Sequence, residues 1–296
     1  MRNYYTDISV ADLKIRLETE QELQVTEAFL PFVLEEDESE TPHYTVKFHA
    51  VKKLEIPAGK RVYEEGRFFV LRLNDGSLLR GFRKETDGRE TYAISIYESG
   101  NYQIQIIYLE TARKEFEDTQ KIFLHIGLEW MLMSRQGLML HASCVKTPLG
   151  GLLFSGPSGI GKSTQADLWC RYGDGKLING DKTILFQKEN HWDGYGSPYA
   201  GSSGCYVNEK TPIRIVLFLS QGERCSLKRL SMTEGFKRLY TSMTVNQWDF
   251  EYVETVSRLA AFMAEEVPMY EFICTPDLQA VDYIKRILLE GEVGDE

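Results

Sequence analysis

From Met1 to about Leu109 the chain reads as strand-like runs, such as Phe68 to Leu73 and Tyr102 to Tyr108, with apolar and polar positions alternating at a period of two most clearly in Tyr92-Ala93-Ile94-Ser95-Ile96. The runs are separated by Asn74-Asp75-Gly76, Thr86-Asp87-Gly88 and Ser99-Gly100-Asn101, which are turn formers. This predicts a small antiparallel β-rich domain over residues 1–110. The acidic run Leu34 to Glu40 reads as a solvated loop within it. Between Thr111 and Gln136 the spacing becomes helical through Phe116, Ile122, Phe123, Ile126, Trp130 and Met133, and Gly137 is a stop signal. One long connecting helix over residues 111–136 is predicted. Beyond it, apolar strand-like runs at Leu138 to Val145, Gly151 to Phe154, Thr183 to Phe186 and Ile213 to Leu219 alternate with helical stretches. Those stretches follow Lys162, lie near Thr233 to Tyr240, and run from Phe250 to Ala264 and from Pro276 to Leu289. Such alternation predicts an α/β domain over residues 137–296.

Composition narrows the picture. With 296 residues, 43% of them hydrophobic, the chain can bury one large core or two ordinary ones, and two domains is the better reading. A net charge of -10 and a pI near 5.2 supply no field for phosphate backbones or anionic lipid, so nucleic acid and membrane surfaces are poor partners. Cys144, Cys170, Cys205, Cys225 and Cys274 are odd in number and have no metal-ligand spacing, which predicts reduced, mostly buried thiols. The N-terminus has no apolar stretch of signal-peptide length, and no apolar run approaches the ~18 residues of a membrane span. A soluble cytoplasmic protein is expected.

The chemistry is concentrated in Gly156-Pro157-Ser158-Gly159-Ile160-Gly161-Lys162-Ser163 and the following Thr164. An apolar strand, Gly151 to Ser155, runs into this loop, and good helix formers follow it. Strand, glycine loop and helix in that order let backbone N–H groups converge on a phosphate at a helix N-terminus. Lys162 would reach the β- and γ-phosphates of a nucleoside triphosphate, ATP by preference, and the Ser163 hydroxyl would bind Mg²⁺. Asp181 is the lone acid at the turn of the apolar stretch Lys176 to Leu185, where an acid beside a phosphate loop is a natural metal partner. His141 lies in the apolar strand Leu138 to Val145, and pairing of that strand with Gly151 to Ser155 would bring its imidazole near the phosphates. His43, His49, His125 and His191 have no such context and read as structural. The small-residue loop Tyr199 to Cys205 offers Ser202 and Ser203 to a substrate, and Arg214, Lys210 and Arg224 are cations available to neutralise transferring charge.

Together, His141, the strand Gly151 to Ser155, the octapeptide and the Asp181 strand resemble the catalytic domain of the HPr kinase/phosphorylase family over about Gly137 to Ser220. The ATP-dependent phosphoenolpyruvate carboxykinases are related to that family. The resemblance implies an α/β, HPr kinase/PEP carboxykinase-like phosphate-loop domain, here preceded by a smaller β-rich domain. It also implies transfer of the γ-phosphate of ATP to a seryl hydroxyl with Mg²⁺. The chain departs from the family in three places: Gly180 stands where the family has the first of two aspartates, Thr164 stands where it has Glu, and the C-terminal signature is absent. The first aspartate is the one assigned to proton shuttling, and Asp181 matches the second. The expected activity is that of a divergent kinase with Asp181, His141 and Lys162 in catalysis. Its hydroxyl-bearing acceptor is a peptide, protein or small molecule that the sequence does not name. The alternatives are a non-catalytic, nucleotide-gated binding protein, which the missing aspartate favours, and a carboxykinase-like enzyme.

Overall fold

The structure, a computed structural model, describes residues 3–35, 41–85, 88, 90–98 and 102–290. Residues 36–40 of the acidic run, and the turn residues 86–87 and 99–101, lie outside the described residues. It is a mixed α/β structure with two large sheets. The chain divides into two compact units, Met1–Met131 and Leu132–Glu296.

The first unit contains β1 (Tyr4–Val10), β2 (Leu13–Thr19), β3 (Tyr44–Val51), β4 (Gly59–Glu65), β5 (Phe68–Leu73), β6 (Leu78–Arg83), β7 (Thr91–Tyr97) and β8 (Gln103–Leu109). They form one sheet in the order β1-β2-β3-β8-β7-β6-β5-β4. In β2 and β8 every second residue is buried, so the period-two pattern reports one face turned to the core of Ile15, Leu17, Val46, Ile104 and Ile106. The sheet is not wholly antiparallel as the turns predicted, because β3 runs parallel to both β2 and β8. A long connection separates β2 from β3, and parallel neighbours need such a crossover.

The single helix expected over residues 111–136 is instead three pieces: a 3-10 turn at Glu110–Phe116, α1 (Thr119–Ile126) and α2 (Leu128–Ser134). Asp118 restarts the helix by accepting the Lys121 N–H at 2.9 Å. Gly127 ends α1 in the left-handed region at φ 63°, and a Cβ there would meet Arg80 Nη1 at 2.1 Å. The helical period continues through the break because both pieces bury the same kind of apolar stripe.

The second unit contains β9 (Gly137–Thr147), β10 (Gly150–Ser155), α3 (Lys162–Tyr172), β11 (Lys176–Asn179), β12 (Lys182–Gln187), β13 (Trp192–Tyr195), β14 (Lys210–Gln221), β15 (Ser226–Arg229), α4 (Met232–Ser242), α5 (Phe250–Glu266), β16 (Met269–Cys274) and α6 (Leu278–Glu290). The strand order is β10-β9-β12-β13-β14-β16-β15, with β11 beside β9 and β10 also paired to β14. β14 runs parallel to β10 and to β16, so these three strands end together at Ser155, Gln221 and Cys274. Phe154, Trp169, Leu217, Phe272 and Ile284 pack α3 and α6 against them. Crevices at the carboxyl ends of parallel strands are the usual ligand sites of such sheets. All five cysteines are free; Cys144 and Cys274 are buried, and Cys170 is exposed. No helix among the described residues is long and apolar enough to cross a membrane.

One buried group ties the first unit's stability to pH. His125 is 2% exposed and packs against the rings of Phe82 and Phe116 at 4.6 Å. Its Nδ1 donates to the Lys121 carbonyl at 2.9 Å, which leaves Nε2 to accept from the Tyr92 hydroxyl at 2.9 Å. Burial holds the ring neutral and lowers its pKa from 6.5 to about 4. Between those two values the unfolded chain binds a proton that the folded one does not, so stability is lost as pH falls from about 6.5 to about 4. The loss is on the order of 3 kcal/mol. Urea denaturation should show a midpoint that falls over this range in the wild-type protein and falls less in His125→Gln. An equal fall in both would assign the effect to other groups.

Candidate phosphate-binding and transfer site

β10 delivers the chain through buried Ser155 into the glycine loop, and α3 begins at Lys162. Gly156, Gly159 and Gly161 adopt φ of 146°, 77° and 116°, a region that side chains rarely enter, and this is why the loop is written in glycine. Ile160 packs into the core beneath, anchoring the loop from below. Lys162 lies back along the loop, with Nζ donating to the carbonyls of Gly156 at 3.0 Å and Pro157 at 3.2 Å. It is only 8% exposed, and burial lowers its pKa while the nearby Asp181 acts in the opposite sense.

β9 and β10 form a hairpin with Ser155 opposite Ala142, which sets His141 beside the start of the loop. On the other edge of β9, the single residue Lys182 of β12 faces both His141 and Ala142, a bulge in β9 beside the acid turn. His141 Nε2 and Asp181 Oδ1 are 2.9 Å apart. Asn179 supports the turn from beneath: its Oδ1 accepts the Asp181 N–H at 2.9 Å, and its Nδ2 donates to Ser197 Oγ at 3.0 Å. Ser143 Oγ donates to the Gly180 carbonyl at 2.9 Å, and the Ala142 N–H to the Asp181 carbonyl at 2.9 Å. Asn179, Ser143 and Ser197, all fully buried, are the supporting residues that sequence reasoning missed. The only trace of them in the sequence is Asn-Gly-Asp, which reads as an ordinary turn.

These elements enclose a cavity of about 320 Å³ lined by His141, Lys162, Ser163, Thr164, Asp181 and Ser202 with Ser158, Gly159 and Gly161 of the loop. Most of the expected site residues are therefore together. Two are not. Ser203 turns away, donating to the Ala200 carbonyl at 2.6 Å. Arg214 lies beside Gly150, between the residues paired with Gly151 and Leu152, at the start of β10 and not at its loop end. In a parallel pair the two starts lie together, so Arg214 is a strand length from the glycine loop. No group of three or more His, Cys, Asp or Glu able to hold a metal alone occurs among the described residues. The oxygen donors present, the Ser163 hydroxyl and the Asp181 carboxylate, suit Mg²⁺ that keeps waters and phosphate oxygens as its other ligands.

Gly180 is shaped by its neighbour. A Cβ there would lie 2.2 Å from Ser203 Oγ, 2.4 Å from Ser203 Cβ and 3.0 Å from the Ala200 carbonyl oxygen. The turn Gly201–Ser203 thus occupies the space a longer residue would need. A second cavity of about 460 Å³ adjoins the loop through Gly161 and Thr164 and extends past Gln165 to Gln221, Glu223 and Thr275 at the carboxyl ends of β14 and β16. Gln165 is buried there and donates to the Thr275 carbonyl at 2.8 Å. A larger cavity, about 510 Å³, lies beside β1 in the first unit and contains none of these residues. Chemistry rather than size selects the loop.

No family of known proteins and no curated protein matches the sequence. Among solved structures, the chain is similar to the Hpr(Ser) kinase/phosphatase from Coxiella burnetii, with 15% identity and a TM-score of 0.32 over 52% of this chain and 93% of that one. So loose a likeness decides neither fold nor function, which rest on the residues described above.

Two substitutions test this geometry. Lys162→Ala should leave the protein folded and weaken ATP binding by the ~1.5–3 kcal/mol of a charge-assisted contact, read by calorimetry; unchanged affinity would remove the loop as the phosphate site. Gly180→Asp should lower the unfolding free energy by the ~1–3 kcal/mol of an overpacked site. A variant as stable as the wild type would show that the Gly201–Ser203 turn yields freely.

Proposed function

We propose that this chain is an ATP- and Mg²⁺-dependent phosphotransferase that moves the γ-phosphoryl group to a hydroxyl, seryl by preference, on a peptide, protein or small molecule. The observation that carries the reading is the shared cavity, where Lys162, Ser163, Asp181 and His141 face one space beside the glycine loop. A triphosphate seated there has its β-phosphate against loop N–H groups and the N-terminus of α3. The adjoining cavity past Thr164 and Gln165 has room for the nucleoside.

Phosphoryl transfer asks a protein mainly for positioning and for stabilisation of spreading negative charge. Lys162 supplies the cation. Its pKa is already lowered by burial, and an arriving anion favours the charged form, so the lysine is best satisfied with phosphate bound. Ser163 and Asp181 would hold Mg²⁺, which when bound neutralises charge on the transferring group. In this reading His141, 2.9 Å from Asp181, takes the acceptor hydroxyl proton, the task for which Gly180 offers no carboxylate.

The second reading is a nucleotide-gated binding protein without transfer. It is favoured by the filled space at Gly180, which leaves Asp181 as the single acid of the turn. Turnover separates the two. With γ-labelled ATP, Mg²⁺ and a lysate containing acceptors, the wild-type protein should transfer label. Asp181→Asn should lose Mg²⁺-dependent transfer while still binding nucleotide through the loop backbone, and His141→Ala should slow transfer by ~10²–10⁴-fold. Tight ATP binding without transfer would favour the gated binder, and full activity in Asp181→Asn would sink the metal assignment.

A further inference from the structure

The turn over the cavity has a nucleophile of its own. Gly201–Ser203 forms a single 3-10 turn closed by the Ser203 N–H on the Ala200 carbonyl at 3.2 Å, and Ser203 Oγ repeats that bond at 2.6 Å. It is seated on the acid turn at two points. Ser203 fills the space over Gly180, and Gly201, at φ 56°, lies so close to Asp181 that a Cβ there would meet Asp181 Cβ at 2.8 Å. Between these two anchors, exposed Ser202 lines the cavity shared by Lys162, Ser163, Asp181 and His141. Its neighbour's hydroxyl is committed to the backbone. No hydrogen bond holds the Ser202 hydroxyl among the described residues.

We propose that Ser202 is a site of self-phosphorylation, an inference that rests on the phosphotransferase reading above. The co-reactant is the nucleoside triphosphate bound at the loop. Ser202 Oγ attacks the γ-phosphorus, an O–P bond forms, and the bond from that phosphorus to the β,γ-bridging oxygen breaks. The nucleoside diphosphate leaves with the electron pair, and the hydroxyl proton passes to the His141–Asp181 pair and then to water. Donor and acceptor lie in one cavity of one chain, so the transfer occurs within a molecule. The phosphoserine formed carries nearly two negative charges into the space that the γ-phosphate uses. The modified protein therefore binds fresh triphosphate weakly, and the reaction limits itself.

The test incubates the full chain with Mg²⁺ and γ-labelled ATP and no other protein, and follows intact mass, fragment mapping and ATP affinity by calorimetry. The expected result is one phosphate per chain on Ser202, at a rate independent of protein concentration. Label should be lost in Ser202→Ala and regained on the hydroxyl in Ser202→Thr, with at least tenfold weaker ATP binding by the phosphorylated wild type. If ATP binds and its γ-phosphate reaches water or an added acceptor while Ser202 stays unmodified, or if Ser202→Ala is labelled as fully as wild type, self-phosphorylation is overturned and the phosphotransferase reading stands. If ATP does not bind, both fall.

Discussion

The site depends on one buried carboxamide. Asn179 ends β11 with no exposed surface, and its two polar ends hold two different segments: Oδ1 takes the Asp181 N–H, while Nδ2 reaches Ser197 Oγ and, at 3.3 Å, the carbonyls of Ser197 and Tyr199. The acid turn and the segment leading to the Gly201–Ser203 turn are thereby fixed to the same side chain. An apolar residue of similar size would leave the Asp181 amide without this acceptor, at the ~1–3 kcal/mol cost of an unsatisfied buried group. It would also free the carboxylate that faces His141. Beside that turn β9 is bulged, with His141 and Ala142 both facing Lys182.

Electrostatics then gives the arrangement its direction. The protein as a whole is acidic, with a net charge of -10, so in the proposed function attraction of an anionic nucleotide must be local. The sources available are the glycine loop, the N-terminus of α3 and Lys162, which border one cavity. That lysine is held against the loop's own carbonyls, a weaker arrangement for a cation than phosphate oxygens. Asp181 is shared between His141 and the influence it exerts on Lys162, so one carboxylate links cation and imidazole across the cavity. The same density of function leaves little slack. Gly180 and Gly201 are small because other atoms already occupy the volume around them.

How much of this was legible in the sequence follows from how local each feature is. The glycine loop could be read directly as a loop between strand and helix, because Gly156, Gly159 and Gly161 are demanded by backbone angles within the loop itself. β9, β10, β12, β14 and helices α3 to α6 lie where hydrophobic spacing predicts them. Features that depend on distant pairing were less accessible. The parallel placement of β3 between β2 and β8 is a matter of strand direction, to which a period of two is blind. β16, six residues between two helices, carries Glu271 in its middle and gives no apolar run, yet it stands between β14 and β15 in the sheet. Arg214 was a reasonable cation until the register put it at the wrong end of β14. The break at Gly127 was visible as a glycine preceded by an Asp118 cap, but a continuous apolar stripe masked it. Asn179 gave no signal beyond an ordinary turn, since Asn, Gly and Asp are all common turn formers.

The central claim is that one space between the loop and the His141–Asp181 pair receives the β- and γ-phosphates. A crystal structure with Mg²⁺ and a non-hydrolysable ATP analogue tests it most directly. The account predicts the terminal phosphates beside Lys162 Nζ, a metal touching Ser163 and Asp181, and the base in the cavity past Gln165. An analogue bound elsewhere, or a loop left empty at saturating nucleotide, would contradict it.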